Sequence, residues 1–175
     1  MNAKKIKLNW YVISIVIFSA IIVISLFGRR SFEATYDAYV EASLNFDGDG
    51  VYDLLHSSYI EELSNNDNIN NIDALPQYVR DRYEHMKKFV DEECIENGDY
   101  VAECSSIEDC ELDNHRYHLM MLYGDNVDKI QAAKKVSIRF IQQKSDGTSE
   151  IVYTDYYFYF VKINHSWYLG ELPFV

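Results

Sequence analysis

Residues Lys134 to Leu172 read KKVSIRFIQQKSDGTSEIVYTDYYFYFVKINHSWYLGEL, and the reading of this stretch decides the fold. Val136, Ile138 and Phe140 alternate with polar residues and lead into a Ser145-Asp146-Gly147-Thr148 turn. Glu150 to Ile163 then carries Tyr153, Tyr156, Tyr157, Phe158, Tyr159 and Phe160, and a tight turn at Asn164-His165 returns the chain through Trp167, Tyr168 and Leu169. Period-two alternation, aromatic and β-branched residues and short polar turns predict a three-stranded antiparallel meander.

If Asn164-His165 is a two-residue turn, Ile163 lies opposite Ser166 and Phe160 opposite Leu169. One face then holds Val152, Tyr156, Phe158, Phe160, Trp167 and Leu169, continued by Val136, Ile138 and Phe140, and it needs helices laid over it. The other holds Tyr153, Asp155, Tyr157, Tyr159, Val161 and Tyr168 beside Lys135, Ser137 and Arg139. Each tyrosine there offers apolar area and a hydroxyl that tolerates water. A solvated outer face of good strand formers accounts for this composition. So does a contact surface, in which case Tyr153, Tyr157, Tyr159 and Tyr168 are the candidate partner-binding residues.

Upstream of the meander the pattern is helical. Phe32, Tyr36, Tyr39, Val40 and Leu44 recur at helical spacing from Ser31 onward, with Ala34, Ala38 and Ala42 beside them. Asp47-Gly48-Asp49-Gly50 ends this helix, and Val51, Leu54 and Leu55 begin a second, which Tyr59, Ile60 and Leu63 finish. Ser64 to Asn71 is a polar loop. Asp73 is a candidate cap with Pro76 in the first turn of the next helix, whose apolar face is Val79, Tyr83, Met86, Phe89 and Val90. It stops near Asn97-Gly98. Tyr100 to Ile107 reads as a strand, and Asn114 to Tyr123 as a short helix closed by Gly124. The expected class is therefore α+β, with Trp167 and Phe160 packed towards the helix that begins near Asp73.

This order of elements resembles the nuclear transport factor 2-like (cystatin-like cone) superfamily. Phe46 to Ile60, FDGDGVYDLLHSSYI, resembles the first helical corner of that family. Val161 to Leu169, VKINHSWYL, is similar to its closing hairpin, with His165 where glycine is commoner. The resemblance covers Phe32 to Leu172 and implies a curved antiparallel sheet wrapped around N-terminal helices, enclosing a cone-shaped cavity. Tyr36, Tyr39, Tyr83 and Tyr156 are the candidates to line that cavity, with His85 a further possibility. A reaction is not implied, because the fold hosts enzymes, carriers and scaffolds alike.

The N-terminal end points to a membrane. Trp10 to Phe27 is an apolar run broken only by Ser14, Ser19 and Ser25, and all 28 acids lie beyond Arg30. At about 1.5 Å per residue such a helix nearly spans a bilayer core of roughly 30 Å. A cleaved signal peptide would want a small-x-small site, which is absent before Ser31. The earliest cysteine, Cys94, is too distant for a lipid anchor near the membrane. The expected organisation is a cytoplasmic tail over 1–9, an uncleaved transmembrane helix over 10–28 and an extracytoplasmic domain over 31–175. Lys4, Lys5 and Lys7 before the span, against Arg29 and Arg30 after it, place the N-terminus in the cytoplasm. Nucleic acid is excluded as a partner, since so acidic a domain repels phosphates.

The remaining motifs weigh against chemistry. Asn45, Asp47, Asp49, Gly50 and Asp53 fall at the positions of a calcium loop, but His56 stands where a bidentate acid belongs, so a Gly/Asp turn is the better reading. His115 and His118 share a helix face without a third ligand. Cys94, Cys104 and Cys110 are odd in number, and Cys94 with Cys104 is the more feasible disulfide. Phosphate loops, GxSxG and CxxC spacings are absent. The sequence therefore predicts neither an enzyme nor a cofactor or metal. It predicts a membrane-anchored binding or scaffold module that joins a protein partner or its own copies, with carriage of a small apolar ligand in the cone as the first alternative and a cone-cavity enzyme as the second.

Overall fold

The computed structural model describes residues 29–65, 72–93, 98–144 and 147–173. Helix α1, Phe32–Leu44, starts where Ser31 accepts a hydrogen bond from the Ala34 N–H (3.1 Å). It ends at Asn45, whose side-chain amide donates to the Glu41 carbonyl (2.9 Å). Asp47 then caps the five-residue α2, Gly48–Tyr52, accepting from the Gly50 N–H at 3.0 Å. The glycine-aspartate run is thus a helix start and not a simple stop. A Cβ on Gly48 would lie 2.7 Å from the Arg80 Cα, so glycine lets α2 approach the longest helix closely.

Helix α3, Ser57–Asn65, is capped by an unexpected side chain. His56 Nδ1 accepts from the Ser58 N–H (3.1 Å), while the His56 carbonyl accepts from Tyr59 and Ile60. A short 3-10 turn, Ile72–Ala74, leads into α4, Leu75–Glu93, with Pro76 in its first turn as the sequence predicts. Strand β1, Gly98–Cys110, is longer than expected. It is followed by α5, Leu112–Tyr123, which ends at Gly124 with φ 51°.

Strands β2 (Ile130–Lys144), β3 (Ser149–Ile163) and β4 (Ser166–Leu169) complete one antiparallel sheet in the order β1-β2-β3-β4. The two-residue turn is as expected: Asn164 (φ 51°) and His165 (φ 66°) both take left-handed backbone, and Phe160 pairs with Leu169 and Ile163 with Ser166. The Gln131 side-chain carbonyl accepts from the His165 N–H at 2.9 Å and helps hold a turn that usually wants glycine. Register shifts between Cys104 and Ser106, and around Phe140, mark β-bulges, which bend and twist a sheet. The free edge of β4 is covered, because Trp167 donates to the Arg30 carbonyl (3.0 Å) and Leu169 to that of Leu54 (2.9 Å).

One face of the sheet buries Val136, Ile138, Phe158, Phe160 and Leu169, as predicted. The helix lying on it is α1, not the helix that begins near Asp73. Phe32 meets Phe160 and Trp167 edge-on (5.4 Å each), and Tyr39 meets Phe158 at 4.9 Å and Phe160 at 6.0 Å. Helix α4 packs behind, adding Leu75, Val79 and Tyr83 to the same core. The reason is the short α1–α2 corner, which keeps α1 against β3 and β4 and leaves α4 to close the outside.

The second face differs from expectation. It is not left open: Ala133, Ser137, Tyr159, Val161 and Ile163 are buried, and α5 lies over this end with Leu119 and Tyr123 buried. His115 Nδ1 is 2.9 Å from the Tyr159 hydroxyl, and the His118 ring lies 4.9 Å from the Tyr159 ring. Among the described residues no helix is long and apolar enough to cross a membrane, and the expected span over 10–28 and tail over 1–9 lie outside them.

Candidate functional site

The four tyrosines expected to form one exposed stripe are separated by the fold. Tyr159 is 8% exposed beneath α5. Tyr168 is half-buried, its ring 4.7 Å from that of His56. Tyr153 pairs with Phe140 in the ladder, and its side chain lies outside the described part. Among the members whose side chains are described, Tyr157 is the most exposed, at 60%. Tyr157 pairs with Ser137 in the ladder, and Lys135, which pairs with Tyr159, places its ammonium 4.3 Å from the centre of the Tyr157 ring. Cation–π contact of this kind holds an exposed ring in one orientation for about 0.5–1 kcal/mol.

The sequence did not single out the exposed apolar side of α5. Helix α5 turns Tyr117 (74% exposed), Met120 and Met121 (59% exposed) outward while its opposite side packs on Tyr159. Three of the five exposed large hydrophobics among the described residues therefore fall within two turns of one helix, and Tyr157 lies on the same side of the sheet. The signal was in the sequence as Tyr117, Met120 and Met121 at i, i+3 and i+4. It could not be read as outward-facing until Leu119 and Tyr123 were known to point inward.

The tyrosines expected to line a cavity are core residues where the structure describes them. Tyr39 and Tyr83 are buried, and their hydroxyls interact with each other and with that of Ser43. Tyr36 is partly buried, with its hydroxyl at Cys104. Tyr156 pairs with Ile138, and its side chain is outside the described part. Burial pushes every one of the three described phenols upward, Tyr83 to about 12. At neutral pH they stay protonated and are not bases or nucleophiles. His85 is exposed on α4.

Sequence reasoning also missed a small polar cluster at the end of α5. His118 Nε2 is 3.4 Å from Glu171 Oε2, and the Glu171 side chain is only 16% exposed. Burial raises the Glu171 carboxyl, while His118 and a backbone hydrogen bond from Tyr159 act in the opposite direction. The Tyr59 hydroxyl accepts from the Leu172 N–H (3.0 Å), and burial lifts this phenol to about 12. The Tyr123 hydroxyl is buried with no hydrogen-bond partner among the described residues. This cluster clamps the last residues of the chain onto α3 and α5.

The metal readings have structural explanations. Asn45 and Asp47 are helix caps, and Asp49 is 3.4 Å from Arg80. His115 meets the Tyr159 ring edge-on and His118 lies tilted against it. No group of three or more His, Cys, Asp or Glu placed to hold a metal ion occurs among the described residues. Cys104 and Cys110 are free thiols on β1, while Cys94 lies outside the described residues. No protein-family model, curated protein or solved structure matches this chain.

Proposed function

We propose that this chain is a membrane-anchored, non-catalytic extracytoplasmic scaffold module of the nuclear transport factor 2-like layout that associates with further copies of itself. Residues 10–28 anchor it in the cell membrane, residues 1–9 stay in the cytoplasm and the folded domain lies outside. The observation that carries the binding reading is the exposed apolar side of α5, where Tyr117, Met120 and Met121 meet solvent, with Tyr157 separately exposed on the sheet face that α5 partly covers. Clustered exposed apolar area marks interaction sites, and methionine adapts its shape to a partner surface. Confinement to the membrane plane favours association further, because lateral encounters raise the effective concentration of each copy. Catalysis is a weaker reading, since the described buried tyrosines carry raised pKa values and offer no base at neutral pH.

Crosslinking in the native membrane tests this. Wild-type chains are expected to give a discrete crosslinked dimer or higher species. Met121→Ser with Tyr157→Ser is expected to reduce it at least several-fold while the far-ultraviolet circular dichroism stays unchanged. A chain that stays monomeric in both forms would end the self-association reading. An apolar fluorophore displaced from the interior by lipids would favour the carrier alternative.

A further inference from the structure

The β3–β4 hairpin end of the domain bears the attachment of the anchor. Arg30 is not part of a loose connection. Its carbonyl accepts from the Trp167 N–H at 3.0 Å, and its guanidinium donates to the Asp53 carbonyl at 2.9 Å. One residue later Ser31 caps α1, so the chain is fixed to the domain from Arg30 onward. Trp167 follows the Asn164-His165 turn by two residues, a separation of roughly 7 Å along a strand. Lys129 precedes β2 at this same end, and Gln131 is bonded to the turn. The proposed anchor over 10–28 ends two residues before Arg30, so the tether it implies is short.

We infer that this end of the domain, formed by Arg29, Arg30, Lys129, Lys162 and the Asn164-His165 turn, rests on the phosphate headgroups of the bilayer that holds its own anchor. The inference rests on the anchored reading above and adds a fixed orientation to it. Arg29, Arg30, Lys129 and His165 are exposed, and Lys162 pairs with Trp167, the residue bonded to Arg30. In a chain with 28 acids and 16 basic residues, four basic side chains gathered here suit a phosphate surface. Asp53, whose carbonyl binds Arg30, Asp128 next to Lys129, and Glu61, which with Lys129 acts on His56, share this end, so attraction is modest and the short tether supplies the orientation. The β2–β3 turn, where Gly147 and Thr148 are exposed, then points away from the membrane. The Tyr117 and Tyr157 surface stands beside the bilayer, placed for lateral contact between copies.

The full chain, with Cys94, Cys104 and Cys110 changed to Ser, would carry a single fluorophore through Lys129→Cys or through Thr148→Cys. It would be reconstituted into phospholipid vesicles containing lipids spin-labelled at the headgroup. The label at 129 is expected to be quenched at least threefold more than that at 148, and Lys162→Glu is expected to lessen the difference. Equal quenching at the two positions, with the protein still in the vesicle fraction, overturns the fixed orientation and leaves the anchor standing. Recovery of the chain in the vesicle-free fraction overturns both.

Discussion

The two faces of the β-sheet are built from the same alternation of aromatic and β-branched residues, yet they bury by different means. The face carrying Phe158, Phe160 and Leu169 lies under α1, whose Phe32 and Tyr39 pack ring against ring on it. The opposite face is divided. Its hairpin end, with Tyr159 and Val161, is covered by α5, and further along Tyr157 stands 60% exposed beside Lys135. A tyrosine-rich strand thus specifies a sheet without specifying what covers it, because a phenol is at home under a helix or in water.

The sharpest way to break this contrast is truncation of one ring on each face. Phe160→Ala removes a fully buried ring that touches Phe32, Tyr36 and Tyr39, and is expected to cost about 3–5 kcal/mol in denaturant unfolding. Tyr157→Ala is expected to cost less than about 1 kcal/mol, since it loses one exposed cation–π contact. Similar losses for the two would mean that Tyr157 is covered after all.

A second test concerns how the covered end of the divided face is closed. A Cβ on Gly170 would lie 2.7 Å from the Tyr159 carbonyl oxygen, which accepts from the Gly170 N–H. Gly170→Ala is therefore expected to cost about 1–3 kcal/mol, the usual effect of forcing atoms into packed space. Unchanged thermal unfolding would show that the chain end does not press on Tyr159.

A third test separates a local cap from the sheet. His56 caps α3 through an unprotonated Nδ1, and burial, with Lys129 nearby, lowers its pKa below 6.5. As pH falls below about 6.5 the unfolded chain takes up this proton before the folded one, so stability declines with acidification. His56→Asn keeps a good capping side chain and removes the titration. The wild type is expected to lose up to about 1 kcal/mol more than this variant between pH 7.5 and 5.5. Parallel pH profiles would rule out the cap as the source.

How much of this was legible follows from which signals are local. The Asn164-His165 turn and the Phe160–Leu169 register were readable because a two-residue turn and period-two alternation fix each other. The Ser31 start of α1 and the Pro76 turn of α4 follow equally local capping rules. The covering of Tyr159 was not readable. It depends on which side of α5 faces the sheet, and Leu119, Met120, Met121, Leu122 and Tyr123 form a run with no clear helical stripe. Likewise, α1 buries Thr35 and Ser43 beside Tyr39, so its inward side was blurred by polar residues. The role of His56 was hidden because Ser57 and Ser58 are the more obvious caps in the sequence. Glu171 and His118 are 53 positions apart, and nothing short of the folded chain brings them together.

That pair gives the smallest expected effect and the finest test of the divided face. Glu171 sits where the chain end crosses the covered half, and burial makes its folded carboxyl hold a proton more tightly than the unfolded one does. The folded state therefore binds more protons between the ordinary value of 4.5 and the raised one, and stability falls as pH climbs through that window. His118, nearly half-exposed, offsets the cost when it is protonated, so the net change in the wild type is expected to stay below about 1 kcal/mol. Removing the two partners separates their effects. Glu171→Gln keeps the size of the side chain and is expected to flatten the profile above pH 4.5. His118→Ala leaves the carboxylate buried without its counter-charge, and is expected to steepen the decline as pH rises. Calorimetric melting points of the three proteins from pH 4 to 7 provide the measurement. If His118→Ala leaves the slope unchanged, the histidine does not offset the buried carboxylate, and α5 holds the chain end through apolar packing alone.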